Sequence, residues 1–382
     1  APSRGLGDVY KRQEQDVQMK KRRWIWAAAV FFGLLLAALG IFALGYGNKG
    51  SYVSPSSPGT EKSEAAEEPQ EIFIKNENEE EAREDAPVRL VFAGDILLSD
   101  HVLNAYSKGG GIRGILDSGF QKMIDESDIF MANEEFPFSS RGTAAEDKQF
   151  TFRLPPKNVS IFQEMGIDIV TLANNHTLDF GTEALMDTCD TLDQAEIYHV
   201  GAGRNLEGAK QPAVLTAKGK KIGFLGASRV IPVASWNAAA AAPGLLTTYD
   251  PALLLEEIRT LKETCDYVVV YVHWGIERSE RPEAYQRSLG QQYIDAGADL
   301  VIGSHPHVLQ GIEYYKGKPI VYSLGNFIFG SSIPKTALLQ AEWDGRETKL
   351  SLIPGVSSAG YTRMLQTQDE TREFYEYMTG IS

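Results

Sequence analysis

Val88-Arg89-Leu90-Val91-Phe92-Ala93-Gly94-Asp95 is a short apolar run that stops on a carboxylate, and the same arrangement recurs along the chain. Residues 88–93 have the length and β-branched content of a buried strand. A second run, 129–132, is followed by Asn133-Glu134-Glu135. Residues 167–173 lead into Asn174-Asn175-His176, and 267–272 into His273. Residues 300–302 lead through Gly303-Ser304 to His305-Pro306-His307. Helical spacing of apolar residues marks 112–126, 158–165, 182–194, 253–263 and 282–296. Strands alternating with helices predict βαβ units and parallel pairing.

The rest of the body reads differently. Residues 212–217 and 221–226 flank Lys218-Gly219-Lys220 as a hairpin, and 311–315, 319–323, 337–343 and 348–353 read as further strands. Asp344-Gly345 is a tight-turn pair between the last two. The expectation is an α/β domain in which two sheets lie between helices.

Of the 382 residues, 43% are hydrophobic, enough for a core without cross-links. Cys189 and Cys265 occur in neither a CxxC nor a metal-ligand spacing and read as two buried thiols, with a single bridge between them as the alternative. The net charge of −14 argues against nucleic acid as a partner, because phosphate neutralisation needs a basic surface. That charge is unevenly spread: +4 over 1–46, −7 over 47–86 and −11 over 87–382. Lys20-Lys21-Arg22-Arg23 closes a basic N-terminus, 1–23, and precedes an uncharged apolar run, 24–46. As a helix that run would reach roughly 34 Å, enough to cross a bilayer core, and it exceeds the usual signal-peptide apolar stretch. A single transmembrane helix is expected, with the basic end cytoplasmic and the C-terminal domain extracytoplasmic at the cell membrane. Residues 47–86 read as a disordered acidic linker, 87–357 as the folded domain and 358–382 as a C-terminal tail.

The strand ends carry the chemistry. In open α/β sheets, ligands bind beyond the carboxyl ends of strands. Four of the six histidines, His176, His273, His305 and His307, lie at such ends, whereas His101 and His199 do not stand out. Imidazole, carboxylate and amide oxygen without thiolate suit Mn, Zn or Fe, as one ion or a pair. Each residue alone has a plain structural explanation: Asp95 as a helix cap, Asn175 in a turn, the His-Pro-His run as a rigid loop. Their recurrence at one topological position is what points to a site. Lys108, Arg113, Arg153, Arg278 and Arg281 are candidate cations for lining it. No G-x-S-x-G elbow or phosphate-binding glycine loop occurs.

At these segments the chain resembles the poly-γ-glutamate capsule synthesis protein (CapA) family, which belongs with the calcineurin-like metallophosphoesterases. The matching pieces include Phe92-Ala93-Gly94-Asp95, Asn174-Asn175-His176-Thr177-Leu178-Asp179-Phe180-Gly181, His273-Trp274-Gly275-Ile276-Glu277 and Gly303-Ser304-His305-Pro306-His307-Val308-Leu309-Gln310. They run in family order from 88 to about 330. The resemblance implies a four-layer α-β-β-α metallophosphoesterase-like sandwich. It implies Asp95, Glu135, Asn175, His273, His305 and His307 as metal ligands, with Glu135 bridging. It further implies His176 as the acid that protonates the leaving group, Asp179 as its orienting partner, and Glu277 beside the ligands or facing substrate. The implied activity is metal-dependent hydrolysis of an anionic polymer or phosphoester through a metal-bound hydroxide. Polyglutamate synthase and export proteins are the implied partners. The alternatives are a non-catalytic scaffold for such a complex and a generic secreted phosphoesterase. One departure stands out: the usual DxH is Asp95-Ile96-Leu97 here, so one metal position lacks a histidine.

Overall fold

The computed structural model describes residues 86–382. The expected N-terminus 1–23, transmembrane helix 24–46 and all but the last residue of the linker 47–86 lie outside the described residues. Among the described residues, no helix is long and apolar enough to cross a membrane.

The strands in chain order are β1 (Val88–Ile96), β2 (Ile129–Glu134), β3 (Ile169–Thr171), β4 (Tyr198–Val200), β5 (Ala202–Gly203), β6 (Ala213–Ala217), β7 (Lys220–Ser228) and β8 (Gly244–Leu245). They continue with β9 (Tyr267–His273), β10 (Leu300–Ser304), β11 (Ile312–Tyr315), β12 (Lys318–Val321), β13 (Asn326–Ile328), β14 (Ile333–Trp343), β15 (Thr348–Ser358) and β16 (Tyr361–Met364). One sheet runs β16-β15-β14-β1-β2-β3-β4, with β13 also paired to β1; the other runs β11-β12-β10-β9-β7-β6. The β1–β4 ladder and the β12-β10-β9-β7 ladder are parallel, and the hairpins are antiparallel.

The period of two along each strand builds the layers. In β1, Leu90 and Phe92 enter a core shared by the two sheets, whereas Val91 and Ala93 face a second core with the helices. In β9, Tyr267, Val269 and Tyr271 enter the shared core while Val268, Val270 and Val272 face a third. Both faces of these strands are therefore apolar, the mark of parallel strands covered on two sides. The outer layers are α1 (Asp100–Gly109), α2 (Ser118–Asp125), α3 (Ser160–Met165) and α4 (Gly181–Gln194) on one side. After the short α5 (Leu206–Lys210), α6 (Ala252–Lys262) and α7 (Ala284–Ala296) cover the other. The result is a mixed α/β sandwich. Cys189 packs in the first helix-side core and Cys265 in the other, both buried and unpaired.

Two expectations change, and one helix is added. The stretch 112–126 is not one helix: a short 3-10 turn, Ile112–Gly114, precedes α2, which Asp117 starts afresh by accepting from the Phe120 N–H at 2.8 Å. Helix α1 was not anticipated, because only Val102 on it is fully buried and its apolar stripe is thin. Residues 358–382 are not a loose tail: β16 adds to the sheet, and α8 (Gln368–Ile381) follows with a Thr367–Glu370 capping box. Phe374 and Met378 on α8 pack with Leu309 and Ala337.

Gly94 sits where β13 crosses closest to β1. Asp95 N–H donates to Gly325 O at 2.8 Å, and a Cβ on Gly94 would lie 1.9 Å from that same oxygen. Backbone on both sides leaves no flexible group to yield. Gly94→Ala is expected to lower stability by about 1–3 kcal/mol, read as a fall in the urea midpoint at unchanged slope.

Candidate metal centre

The strand ends of both sheets meet at one place. Asp95 is the penultimate residue of β1, Glu135 follows β2, and Asn174, Asn175 and His176 follow β3 from the first sheet. His273 closes β9, and His305 and His307 follow β10 from the second. Tyr271 ties the two sheets beside them, its hydroxyl donating to Ala93 O at 2.8 Å.

An amide chain holds the first sheet's ends in register. Asn133 Nδ2 donates to Asp95 Oδ1 at 2.8 Å, and Asn174 Nδ2 donates to Asn133 Oδ1 at 3.0 Å. Asn174 Oδ1 in turn accepts from His176 N–H at 2.9 Å. From the second sheet, His273 Nε2 stands 2.9 Å from Asn175 Oδ1 and 3.7 Å from Glu135 Oε1, and its Nδ1 is 2.9 Å from Ser304 Oγ. His307 Nδ1 is 2.8 Å from Asn326 Oδ1, 3.3 Å from Asp95 Oδ2 and 3.9 Å from Glu135 Oε2. All six expected ligands are thus brought together.

Two sets of ligand atoms, each within 4.8 Å of one another, share Glu135: Glu135–His273–His305 and Asp95–Glu135–His307. A third, Glu277–His305–His307, reaches the surface through the exposed Glu277. Asn175 adds an amide oxygen to the first set. The second has no histidine from the first strand, because Leu97 stands there, 3% exposed.

Electrostatics favour a cation. Glu135 is fully buried, and neither of its carboxylate oxygens has a hydrogen-bond donor among the described residues. Burial, then the Asp95 charge, pushes its carboxyl well above the ordinary range. Such an orphaned carboxylate is costly unless a cation or proton joins it. His273 is held well below the usual imidazole value by burial and by neighbouring imidazoles, and His305 is lowered to about 3 for the same reasons. Neutral imidazole is the ligating form. For His307 burial opposes the charge, but Glu135, Asp95 and Asn326 outweigh it and raise the pKa to about 10. Carboxylates, imidazoles and an amide oxygen without sulfur fit a divalent transition metal.

His176 lies beside these groups, 7% exposed, with Nδ1 2.8 Å from Asp179 Oδ2. Burial lowers its pKa, which Asp179 raises and Lys148 lowers. The cleft in front has a volume of about 660 Å³ and is lined by His176, His307, Glu277, Leu97 and Phe329 among others. Of the five cations anticipated for it, Arg278 lines it; Arg153 instead lies over the Phe180 ring at 4.0 Å. A larger cavity of about 1260 Å³ runs along β4 and β6, next to His199, and contains none of the six candidate ligands. His199 Nε2 is 3.3 Å from Asp193 at that edge, and His101 is exposed on α1. Sequence reasoning missed Lys148, Lys335, Asn133, Asn174 and Asn326. Asn133 and Asn174 stand within two residues of recognised ones, Asn326 begins β13, and Lys148 lies in an irregular loop with no pattern to mark it.

The family profile described as bacterial capsule synthesis protein PGA_cap matches residues 89–331, and the chain belongs to that family. The capsule biosynthesis protein CapA of Bacillus anthracis is 30% identical over 311 residues, covering 78% of this chain and 74% of that protein. The PGA biosynthesis protein CapA of Bacillus subtilis (strain 168) is 33% identical over 250 residues, 64% of each. Among solved structures, the 5'-nucleotidase from Candida albicans SC5314 is similar at a TM-score of 0.39 and 10% identity, over 77% of this chain and 54% of that one.

Raising the Glu135 pKa above its unfolded value means the folded state holds the extra proton. Stability therefore falls as pH rises above the ordinary carboxylate range, unless a cation replaces the proton. In chelator at pH 8, Glu135→Gln is expected to melt at or above the parent's temperature. Saturating Mn²⁺ should raise the parent by about 5 °C or more and leave the variant nearly unmoved, as read by calorimetry.

Proposed function

We propose that this protein is a metal-dependent hydrolase of poly-γ-glutamate capsule production, carried at the cell membrane by residues 24–46 with its folded domain extracytoplasmic. The observation that carries the enzymatic part is the buried, donor-less Glu135 carboxylate shared by two carboxylate–imidazole sets. Family membership and the names of the Bacillus relatives support the polymer context.

Asp95, Glu135, Asn175, His273, His305 and His307 would hold one or two divalent ions, Mn, Zn or Fe. Such an ion supplies Lewis acidity and makes water nucleophilic near neutral pH. The chain's own groups do the rest. Asp179 fixes the His176 ring through Nδ1, which leaves Nε2 for the leaving group's proton. Phe152 covers the same ring at a centroid distance of 4.5 Å and limits its motion. Arg278 and the exposed Lys335 on the cleft wall suit an anionic substrate, whether a polymer carboxylate or a phosphoester. Partner synthase and export proteins would receive or supply the polymer.

A scaffold role would need the surface and the anchor but not His176. His176→Ala, expressed at the parent's level in a polyglutamate-producing host that lacks its own copy, is expected to cut polymer output by at least about 100-fold. Undiminished output would remove the hydrolytic reading for that process.

A further inference from the structure

Residues 139–154 form a closed loop beside the centre. Its ends are tied where Ser139 N–H donates to Leu154 O at 2.8 Å and Leu154 N–H donates to Pro137 O at 3.0 Å. Between those ties the loop fastens onto Asp179, which is completely buried. Ala145 N–H donates to the Asp179 main-chain oxygen at 2.7 Å, and Phe152 N–H donates to Oδ2 at 2.7 Å. Gly142 packs against the next residue so closely that a Cβ would lie 1.9 Å from Phe180 O.

The loop carries Lys148 inward. Its side chain is only 13% exposed, and its ammonium forms an ion pair with Asp179 Oδ1. The same Nζ donates to the main-chain oxygen of Asn175 and stands 3.0 Å from His176 Nδ1. The Trp236 ring lies on another side, 5.2 Å from Nζ to its centroid. One compact cation thus touches the backbone of the amide ligand, the imidazole and the imidazole's carboxylate partner. Without it, Asp179 would keep a buried negative charge with only the Phe152 N–H and the imidazole to satisfy it, a costly state that a shift of the loop or ring would relieve.

We propose that Lys148 is a positioning residue, whose ammonium fixes the Asn175 carbonyl and the His176–Asp179 pair in one geometry toward the cleft. It acts through those groups and lies off the set of metal-type ligands. The role is specific to an ammonium: its donors reach the Asn175 carbonyl and Asp179 Oδ1 from one point that also abuts the imidazole, whereas a guanidinium is planar and bulkier and cannot make both contacts from that position. The inference rests on the reading that His176 works at the reaction centre, and its test separates the two.

The test uses the full chain as Lys148→Met and Lys148→Arg. The histidines are labelled with ¹⁵N, and His176 is identified by the signal lost in His176→Gln. In metal-free protein, both variants are expected to shift the His176 ring nitrogens while the His101 and His199 signals stay put. With Mn²⁺ and bis(p-nitrophenyl) phosphate as probe, kcat should fall by about ten-fold or more in both variants, with KM within about two-fold of the parent. Parent-like His176 signals in Lys148→Arg would overturn the proposal, as would shifted signals with parental kcat. If the parent itself does not turn over the probe, the hydrolase reading suffers and the ring signals alone decide the role of Lys148. If Lys148→Met fails to fold, Lys148→Arg, which keeps the charge, decides it.

Discussion

A carboxylate buried without a proton donor is the constraint around which this domain is organised. Glu135 sits where the carboxyl ends of two stacked sheets meet, and neither oxygen is satisfied by the described residues. The apolar strands that bury it also deliver His273, His305 and His307 from the opposite sheet. Packing and chemistry are therefore not separable here. The shared core sets the spacing between sheets, and that spacing sets which ligand atoms fall within reach of one another.

Much of this is legible in the chain itself because parallel strands buried on both faces appear as near-continuous apolar runs, interrupted in 88–93 by the exposed Arg89. Runs such as 88–93 and 267–272 announce their own ends, and the polar residue after each is conspicuous. The His-Pro-His and Asn-Asn-His groups mark the site for the same reason. What stays hidden has no period. Lys148 arrives from an irregular loop, and the amide chain through Asn133 and Asn174 joins segments far apart in sequence. The C-terminal helix is a different kind of miss, since Thr367-Gln368-Asp369-Glu370 is a recognisable capping box. Its apolar stripe, with only Phe374 and Met378 buried, is too sparse to draw attention. The break in 112–126 follows from Asp117, whose side chain starts a new helix where apolar spacing alone suggests continuity.

The histidine turn carries strain. His305 has φ of 93° and His307 φ of 58°, with Pro306 between them. Non-glycine residues in this region cost about 1–3 kcal/mol each, so the surroundings must enforce the conformation. Arg278 N–H donates to Pro306 O at 2.7 Å, and His305 N–H reaches Asp95 Oδ2 at 3.4 Å. Held this way, His305 joins the Glu135–His273 set and His307 the Asp95–Glu135 set, and the two meet in the third set with Glu277.

The two thiols have a consequence for where such a domain can be folded. Cys189 and Cys265 occupy separate helix-side cores on opposite sides of the double sheet, so no cross-link can join them in the native arrangement. Burial raises the pKa of both thiols and keeps them in the unreactive thiol form, Cys189 included although it borders the cavity along β4 and β6. The domain's cohesion is accordingly indifferent to the redox poise around it, and its maturation needs no disulfide-forming machinery.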